Sequence, residues 1–335
     1  GNVASTFPSI GNSVLDFAPL AQVATLVGLA GVEFYLILSA TFAAYYTIGY
    51  ISTNSKIYSY FIYFTILLFF VTGFIIQGDS WYQKNVASQI VPLYKAACVF
   101  GQNEKYGSDS YELVWKNTQD RINEGNNFIL WAEETVEIHT DDEEDDLISR
   151  GINMTLQSNG ISYLGISFYK HKHNAKMATN QFVLITPEGN VAWNYHKAHP
   201  VPGVESDVKA GPLKVPTYDS KYGKLGGSIC FDLDFPSTIR QAGEKKVDIF
   251  LQPSWTWNAI STRHFIGDSI RSIENGFTLL RCSSDGESGV VNPRGIFKTR
   301  VFTGHDPNTV VTFNVPKEDR IQTMYTTFGF VFEWI

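Results

Sequence analysis

The sequence predicts an α/β domain that follows two membrane-spanning helices, and two patterns predict this arrangement. The first pattern is charge, because the first 80 residues contain one basic residue, Lys56, and three acidic residues, Asp16, Glu33 and Asp79. The second is the change after Trp81, where short apolar runs alternate with amphipathic stretches in the manner of α/β proteins. A simple soluble globular protein does not fit the first pattern.

Composition excludes several other classes of protein. A hydrophobic content of 44% excludes a disordered chain. The formal net charge of −7, without a Lys/Arg cluster, argues against nucleic acid as a partner. The three cysteines, Cys98, Cys230 and Cys282, are too few and too widely spaced to predict a disulfide framework or a zinc site.

Two uncharged segments predict the membrane helices. Each contains 22 residues, the first between Glu33 and Lys56 and the second between Lys56 and Asp79, and about 20 apolar residues suffice to cross a bilayer. We predict spans over residues 31–52 and 57–78. Buried core helices of a soluble protein are the alternative, but neither segment has a polar stripe.

The orientation follows from the turn between the two spans. Lys56 in that turn favours a cytoplasmic loop, since short inner loops carry an excess of Lys and Arg. Everything after Asp79 is then expected on the non-cytoplasmic face. Residues 1–30 are interrupted by Pro8 and Pro19 and lack the basic start and cleavage site of a signal peptide, so they are predicted to form an interfacial arm.

The rest of the chain predicts a mixed sheet with helices on its outer faces. Predicted strands cover residues 85–91, 128–131, 163–169, 181–185, 224–230, 249–251, 279–283, 289–291 and 310–315, and predicted helices cover 110–124, 143–159, 237–244 and 262–276. Turns bearing Gly and Asn at 186–190 and 292–295 favour hairpins. The acidic run at 141–146 is interpreted as a solvated loop or helix start, because no glycine-spaced calcium loop surrounds it.

Three side chains at predicted strand ends suit acyl transfer. Glu133 follows the apolar strand 128–131, Lys197 follows a hairpin strand, and Cys230 ends strand 224–230 shortly before Pro236, which suits a first helical turn. A thiol near a helix N-terminus and beside a cation is expected to have a lowered pKa. A thiolate, an ammonium for the oxyanion and a carboxylate for proton transfer would form the site. Residue type alone favours a buried structural cysteine.

Four sequence blocks resemble the nitrilase superfamily, and within it the membrane-bound apolipoprotein N-acyltransferases. They are residues 86–90, 129–133, 195–205 and 229–232, the last continuing through Phe235, Pro236 and Arg240. A later run also matches residue by residue: His264, Arg271, Glu274, Gly276, Arg281, Gly286, Ser288 and Gly295. Residues 19–24 and 31–34 resemble the arm and late span of these acyltransferases, which soluble nitrilases lack. Residues 325–335 resemble the approach to their final span, so a fragment without the early spans and most of the last one is expected.

The resemblance implies a fold and a set of site residues. The fold is a four-layer α-β-β-α sandwich over residues 82–316, with residues 317–335 forming a linker and the start of the final span. Glu133, Lys197 and Cys230 would be catalytic, and Glu205 and Glu134 would support them. Because Ala132 replaces the proline of the family, Glu134 is an alternative to Glu133. Further departures are Phe231, Asp232, Gly203, Ser269 and Phe277, and these leave the substrate pockets open to question.

The implied activity is that of a membrane N-acyltransferase. Its acyl donor would be a phospholipid, its acceptor the amine of a lipidated protein or another amine, and its intermediate a cysteine thioester. This chemistry requires no metal and no nucleotide cofactor. A membrane-tethered amidohydrolase would use the same triad with water as the acceptor. A non-catalytic structural subunit of a membrane assembly is the third hypothesis, although the joint retention of Glu, Lys and Cys argues against it.

Overall fold

Two β-sheets lie face to face in the computed structural model of the protein, which describes residues 6, 9–15, 18–53, 60, 63–68, 71–74, 93–171 and 177–328. In these ranges the first sheet contains β1 (Leu93–Val99), β2 (Glu104–Lys105), β3 (Phe128–Trp131), β4 (Val136–Ile138), β5 (Tyr163–Lys170), β6 (Thr179–Ile185), β7 (Val191–His196) and β14 (Val310–Pro316). The second contains β8 (Thr217–Ser220), β9 (Gly223–Gly227), β10 (Ile249–Trp255), β11 (Thr278–Ser284), β12 (Gly286–Val291) and β13 (Phe297–Thr303). Parallel pairs lie in the middle of each sheet, such as β3 with β5 and β10 with β11, and antiparallel pairs such as β5 with β6 and β11 with β12 flank them. At the β2 edge of the first sheet the pairing with β4 is parallel.

Helices cover the outer face of each sheet and complete four layers. Helices α3 (Asp109–Asn123) and α4 (Asp141–Leu156) cover the first sheet, where Trp115 and Leu147 share a buried cluster with Ile129. Helices α5 (Pro236–Glu244) and α6 (Asn258–Asn275) cover the second sheet. A separate apolar cluster, which includes Leu130 and Leu251, fills the space between the sheets. The predicted α-β-β-α sandwich is therefore confirmed.

Local signals place most of these elements within a few residues of their predicted bounds. The acidic run begins α4, where the Thr140 hydroxyl accepts a hydrogen bond from the backbone N–H of Glu143 and the Glu143 carboxylate accepts one from the backbone N–H of Thr140. Acidic side chains in a first helical turn also interact favourably with the helix dipole. Both predicted turns join antiparallel strands, β6 to β7 and β12 to β13.

One predicted strand needs correction, and another lies outside the residues that the structure describes. The predicted strand 224–230 ends at Gly227, because Cys230 begins a 3-10 turn over Cys230–Asp234. The predicted strand 85–91 and the block 86–90 lie outside the described residues. Strand β1 follows them at Leu93 and was not predicted.

A disulfide joins the two sheets, which the cysteine spacing did not predict. Cys98 in β1 is bonded to Cys282 in β11, with their Cα atoms 5.4 Å apart and 184 residues between them in sequence. The number and spacing of the cysteines argued against a disulfide framework and gave no indication of this single bond. Spacing along the chain carries no information about two strands that the sandwich brings face to face.

An apolar helix precedes the sandwich. After α1 (Ala18–Gln22), α2 (Ala24–Thr53) is broken at Gly28, whose φ is 67°. Its segment Ala24–Tyr45, with mean hydropathy 1.8, is the one helix in the described ranges that is long and apolar enough to cross a membrane. It overlaps the predicted span 31–52. Of the predicted span 57–78, only residues 60, 63–68 and 71–74 are described, and they are helical.

The start of α2 after Gly28 is fixed to α6. The backbone N–H of Leu29 donates to Glu274 Oε1 at 2.7 Å, and Arg271 forms an ion pair with the same carboxylate. Leu29 and Val32 share a buried cluster with Ile270 and Ile273 of α6. The apolar helix is thus held by both a capped N-terminus and apolar packing. The predicted final segment is described to residue 328, where it contains α7 (Tyr325–Phe328).

Candidate active site

Cys230 lies at a sharp turn between β9 and α5. Its φ is 44°, which is unusual for a residue other than glycine and costs on the order of 1–3 kcal/mol. Two buried side chains hold the turn: the Asp232 carboxylate accepts from the N–H of Ile229 at 3.1 Å, and Gln252 donates to the carbonyl of Cys230 at 3.2 Å. The turn therefore presents the thiol beyond the end of the strand.

Glu133 reaches the same point from the other sheet. It follows β3, and its backbone N–H donates to the carbonyl of Ser254 at the end of β10, at 3.2 Å. Its side chain is 3% exposed. Glu133 Oε2 accepts from the N–H of Trp255 at 2.7 Å, and Oε1 accepts from Asn180 Nδ2 at 2.8 Å. These donors fix the carboxylate in one orientation.

Lys197 completes the cluster. It follows β7, where its N–H donates to the carbonyl of Asn180 at 2.9 Å. Its Nζ lies 2.7 Å from Glu133 Oε1 and 2.6 Å from Glu205 Oε2. Burial disfavours the ammonium, but the charges of Glu133, Cys230 and Glu205 outweigh it and raise the pKa of Lys197 well above its ordinary value. These neighbours therefore favour the ammonium form of Lys197.

The thiol of Cys230 lines the same pocket as Glu133, Glu134, Lys197 and Glu205. Its Sγ donates to the carbonyl of Trp255 at 3.5 Å. Burial first and then the charge of Glu133 raise the pKa of Cys230 above its ordinary value, although Lys197 opposes the shift. The expectation of a lowered thiol pKa was wrong, because burial of the Cys230 thiol outweighs the neighbouring ammonium. A nucleophilic thiolate here requires a base at the moment of attack.

Both glutamates after β3 line the pocket, and they differ in their partners. Glu133 binds the ammonium of Lys197, whereas Glu134 Oε1 accepts from Asn180 Nδ2 at 2.8 Å and has a positive φ of 52°. Burial, followed by the charge of Glu133, raises the pKa of Glu134 to about 8. The protonated form of Glu134 is thus favoured, and Glu133 is the one of the two glutamates that binds Lys197.

Sequence reasoning missed two residues that link parts of the site. Asn180 contacts Glu133, Glu134 and, at 3.2 Å, Glu205, and nothing in the sequence marks it. The carboxylate of Asp232 accepts from Tyr195 Oη at 2.8 Å and from the N–H of His199 at 2.8 Å. It thereby connects the Cys230 turn to the segment that carries Lys197. Asp232 could have been found from its position two residues after Cys230, but the sequence analysis treated it only as a departure from the family pattern.

The pocket above these polar groups is apolar. It has a volume of about 360 Å³, and its apolar wall consists of Val201, Val204, Phe231, Trp255, Trp257 and Ile260. Val204 and Trp257 are 53% and 41% exposed, so the rim itself is apolar. The three carboxylates Glu133, Glu134 and Glu205 lie close enough together to hold a metal ion, but Lys197 already provides a cation among them. The arrangement fits attack on the carbonyl of an apolar acyl compound.

Comparisons with known proteins agree with the fold. The carbon-nitrogen hydrolase family model matches residues 113–325. An amidase from Nesterenkonia sp. superposes with a TM-score of 0.59 at 18% identity, over 74% of this chain and 100% of that one. At this identity the likeness shows the nitrilase-type fold alone.

Curated relatives include both acyltransferases and amidases. The apolipoprotein N-acyltransferase of Rickettsia bellii is 24% identical over 262 residues, which cover 68% of this chain and 50% of that protein. The deaminated glutathione amidase of Synechocystis sp. is 34% identical over 90 residues, 24% of this chain and 33% of that protein. The chain spans about half the length of the first of these relatives. On the family match, the sandwich and these relatives together, the chain belongs to the carbon-nitrogen hydrolase family of the nitrilase superfamily and is similar to the apolipoprotein N-acyltransferases within it.

Proposed function

We propose that the protein is a membrane N-acyltransferase that moves an acyl chain from a phospholipid to an amine through a thioester on Cys230. Glu133 is the general base and acid, and Lys197 stabilises the oxyanion. Glu205 positions Lys197, and Glu134 supports the site as a protonated neighbour. The acceptor class is the amine of a lipidated protein or another amine at the membrane.

The first half-reaction forms the thioester. Glu133 accepts the proton of the Cys230 thiol, and the sulfur attacks the ester carbonyl of the phospholipid. The ammonium of Lys197 donates a hydrogen bond to the oxyanion that develops. When the tetrahedral intermediate collapses, the carbon–oxygen bond breaks and the lysophospholipid alkoxide takes the proton from Glu133.

The second half-reaction transfers the acyl group. The acceptor amine attacks the thioester carbonyl, and Lys197 again stabilises the oxyanion. Glu133 takes a proton from the amine while the carbon–sulfur bond breaks, and it then returns the proton to the sulfur. The products are an amide and the free thiol.

The observation that carries this proposal is the link between the apolar pocket and the apolar helix. Helix α6 lines the pocket with Ile260 near its start and contacts α2 through Ile270. These two positions are about 15 Å apart along a helix that rises 1.5 Å per residue. A lipid chain in a bilayer around α2 would be within reach of a pocket whose wall and rim are already apolar.

The membrane arrangement is part of the proposal. Residues 31–52 and 57–78 span the bilayer, residues 1–30 lie at its interface, and residues 82–316 form the catalytic domain on the non-cytoplasmic face. The partners are the membrane, its phospholipids and the amine acceptor, with a larger membrane assembly as a further possibility.

A membrane-tethered amidohydrolase is the second candidate, and relatives named as amidases favour it. The same Glu133, Lys197 and Cys230 would serve, with water in place of the amine. The apolar wall of the pocket favours an acyl chain over a small polar amide.

Product analysis in reconstituted membranes tests the proposal. Protein in phospholipid vesicles is incubated with and without a lipidated peptide that has a free N-terminal amine. We expect an N-acylated peptide and little free fatty acid. Free fatty acid in equal amounts with and without the peptide would indicate the amidohydrolase chemistry, and no product in either case would favour the structural subunit.

A further inference from the structure

Three metal-ligating side chains meet where β4 and β5 end, and none of them lines the pocket of Cys230. The strands are parallel, with Ile138 opposite Lys170, and the N–H of His171 donates to the carbonyl of Ile138 at 2.9 Å. Alternate residues of a strand share a face. Glu137 in β4 and His139, which directly follows β4, therefore lie on one face, beside His171, which directly follows β5.

The ligand atoms of this cluster converge. His171 Nε2 is hydrogen-bonded to Glu137 Oε1, and His139 Nε2 lies 3.6 Å from the same oxygen. The two imidazole rings stack with centroids 4.6 Å apart and planes 8° apart. All three ligand atoms lie within 4.8 Å of one another. A tetrahedral ion with bonds of about 2.0–2.2 Å separates its ligand atoms by about 3.4 Å, so small side-chain rotations would suffice.

The chemistry of the donors selects the ion. Two imidazoles and one carboxylate suit Zn²⁺, whereas Mg²⁺ and Ca²⁺ prefer oxygen ligands. The side chains of His139 and His171 are 57% and 43% exposed, so the ion can enter from solvent and keep a water as its fourth ligand. The described residues contain two other clusters of this kind, and each already has a cationic side chain. In the first, Arg281 pairs with Asp268, and in the second, Lys197 pairs with Glu133.

We propose that Glu137, His139 and His171 form a Zn²⁺ site that clamps β4 to β5. Its neighbour is Tyr169, whose ring packs against His171 at 4.8 Å and whose hydroxyl donates to Asp207 at 2.5 Å. Asp207 lies two residues from Glu205 of the candidate active site. The bound ion stabilises this edge of the sheet and takes no part in acyl transfer.

Calorimetric titration of the chelator-treated protein with Zn²⁺ tests the site. We expect one ion per chain, a higher melting temperature with Zn²⁺, and a loss of affinity of at least tenfold in His139→Ala and in His171→Ala, since even second-shell changes cost 10–100-fold. The double variant should lose the high-affinity ion. His305→Ala is the matched control, because His305 is an exposed histidine bound to one carboxylate, Asp285.

Two results would overturn the proposal. One is Zn²⁺ binding by the His139→Ala/His171→Ala variant with wild-type stoichiometry and affinity, and the other is no binding by the wild-type protein at micromolar concentrations. The melting temperature of the metal-free double variant should equal that of the metal-free wild type, which separates ligand loss from misfolding. Neither readout uses acyl transfer, so failure here is distinct from failure of the proposed function.

Discussion

Replacing Lys197 with methionine should separate its catalytic role from its structural role. The ammonium lies 2.7 Å from Glu133 and 2.6 Å from Glu205, and the side chain is 2% exposed. Removing one partner of a buried ion pair costs about 3–5 kcal/mol, because the remaining charge is left without compensation. Losing one oxyanion donor slows a reaction by about 10²–10³, or about 2.7–4 kcal/mol of transition-state stabilisation. Lys197→Met should therefore be both less stable and slower to acylate.

The double variant Lys197→Met/Glu205→Gln distinguishes the two effects. Lys197→Met alone leaves the carboxylates of Glu133 and Glu205 without the ammonium, and the second substitution removes the charge of Glu205. The double variant should therefore recover part of the unfolding free energy that Lys197→Met loses. Acylation should stay slow, because the oxyanion donor is still absent. Urea unfolding measures the first quantity, and the rate of acyl-adduct formation by intact mass measures the second.

Lys170→Met is the matched control for this experiment. Lys170 also pairs with two carboxylates, Asp141 and Glu144, but on the helix-covered side of the first sheet. Its loss should leave the acylation rate within about twofold of wild type. The reasoning would be refuted if Lys197→Met acylated at the wild-type rate, or if the double variant recovered acylation together with stability.

Three further predictions follow from the site and the core. The rate of alkylation of Cys230 by a small neutral reagent should still rise with pH above 9.0, the ordinary pKa of a cysteine thiol, because burial and the charge of Glu133 raise the pKa of Cys230. Glu133→Gln should shift this rise in rate to lower pH and should abolish acyl transfer. Alkylation of the denatured protein should label one thiol before reduction and three after it, and reduction of the Cys98–Cys282 bond should lower the unfolding free energy by about 2–5 kcal/mol. Val204→Asp, which puts a charge on the pocket rim, should slow transfer from long-chain donors more than from short-chain esters.

Each of these predictions has a clear contrary result. A thiol that reaches its maximal alkylation rate near neutral pH would contradict the raised pKa of Cys230. Labelling of three thiols without reduction would show that Cys98 and Cys282 are not bonded. Leu213→Asp is the control for Val204→Asp, since Leu213 is 62% exposed and does not line the pocket. An equal effect of both substitutions would contradict the idea that the apolar rim at Val204 contacts the acyl chain.

Local sequence signals predicted those features of the fold that depend on neighbours in the chain. The apolar run at Phe128–Trp131 is a strand with those bounds, and the acidic run before α4 begins a helix because Thr140 caps it. The shape of the Cys230 turn could not be predicted in this way. The turn is held by Asp232, which is near in the chain but is itself bound by Tyr195 and His199, and by Gln252 from β10.

Features that depend on long-range contacts were missed or, in the case of the Cys230 pKa, predicted to shift in the wrong direction. The pairing of Cys98 with Cys282 arises from the face-to-face packing of two sheets. The direction of the thiol pKa depends on how fully the site is desolvated, which spacing does not reveal. The proposed roles of Glu133, Lys197 and Cys230 rest on family resemblance, and the preference for Glu133 over Glu134 rests on the position of Lys197.

The most direct test of the central claim is the intact mass of the protein after incubation with phospholipid vesicles. The account predicts an added acyl mass that hydroxylamine removes, as a thioester requires, and that is absent in Cys230→Ala. The adduct should persist in Cys98→Ala/Cys282→Ala, which lacks both disulfide cysteines. An adduct on another residue, or no adduct from any phospholipid in reconstituted membranes, would contradict acyl transfer through Cys230.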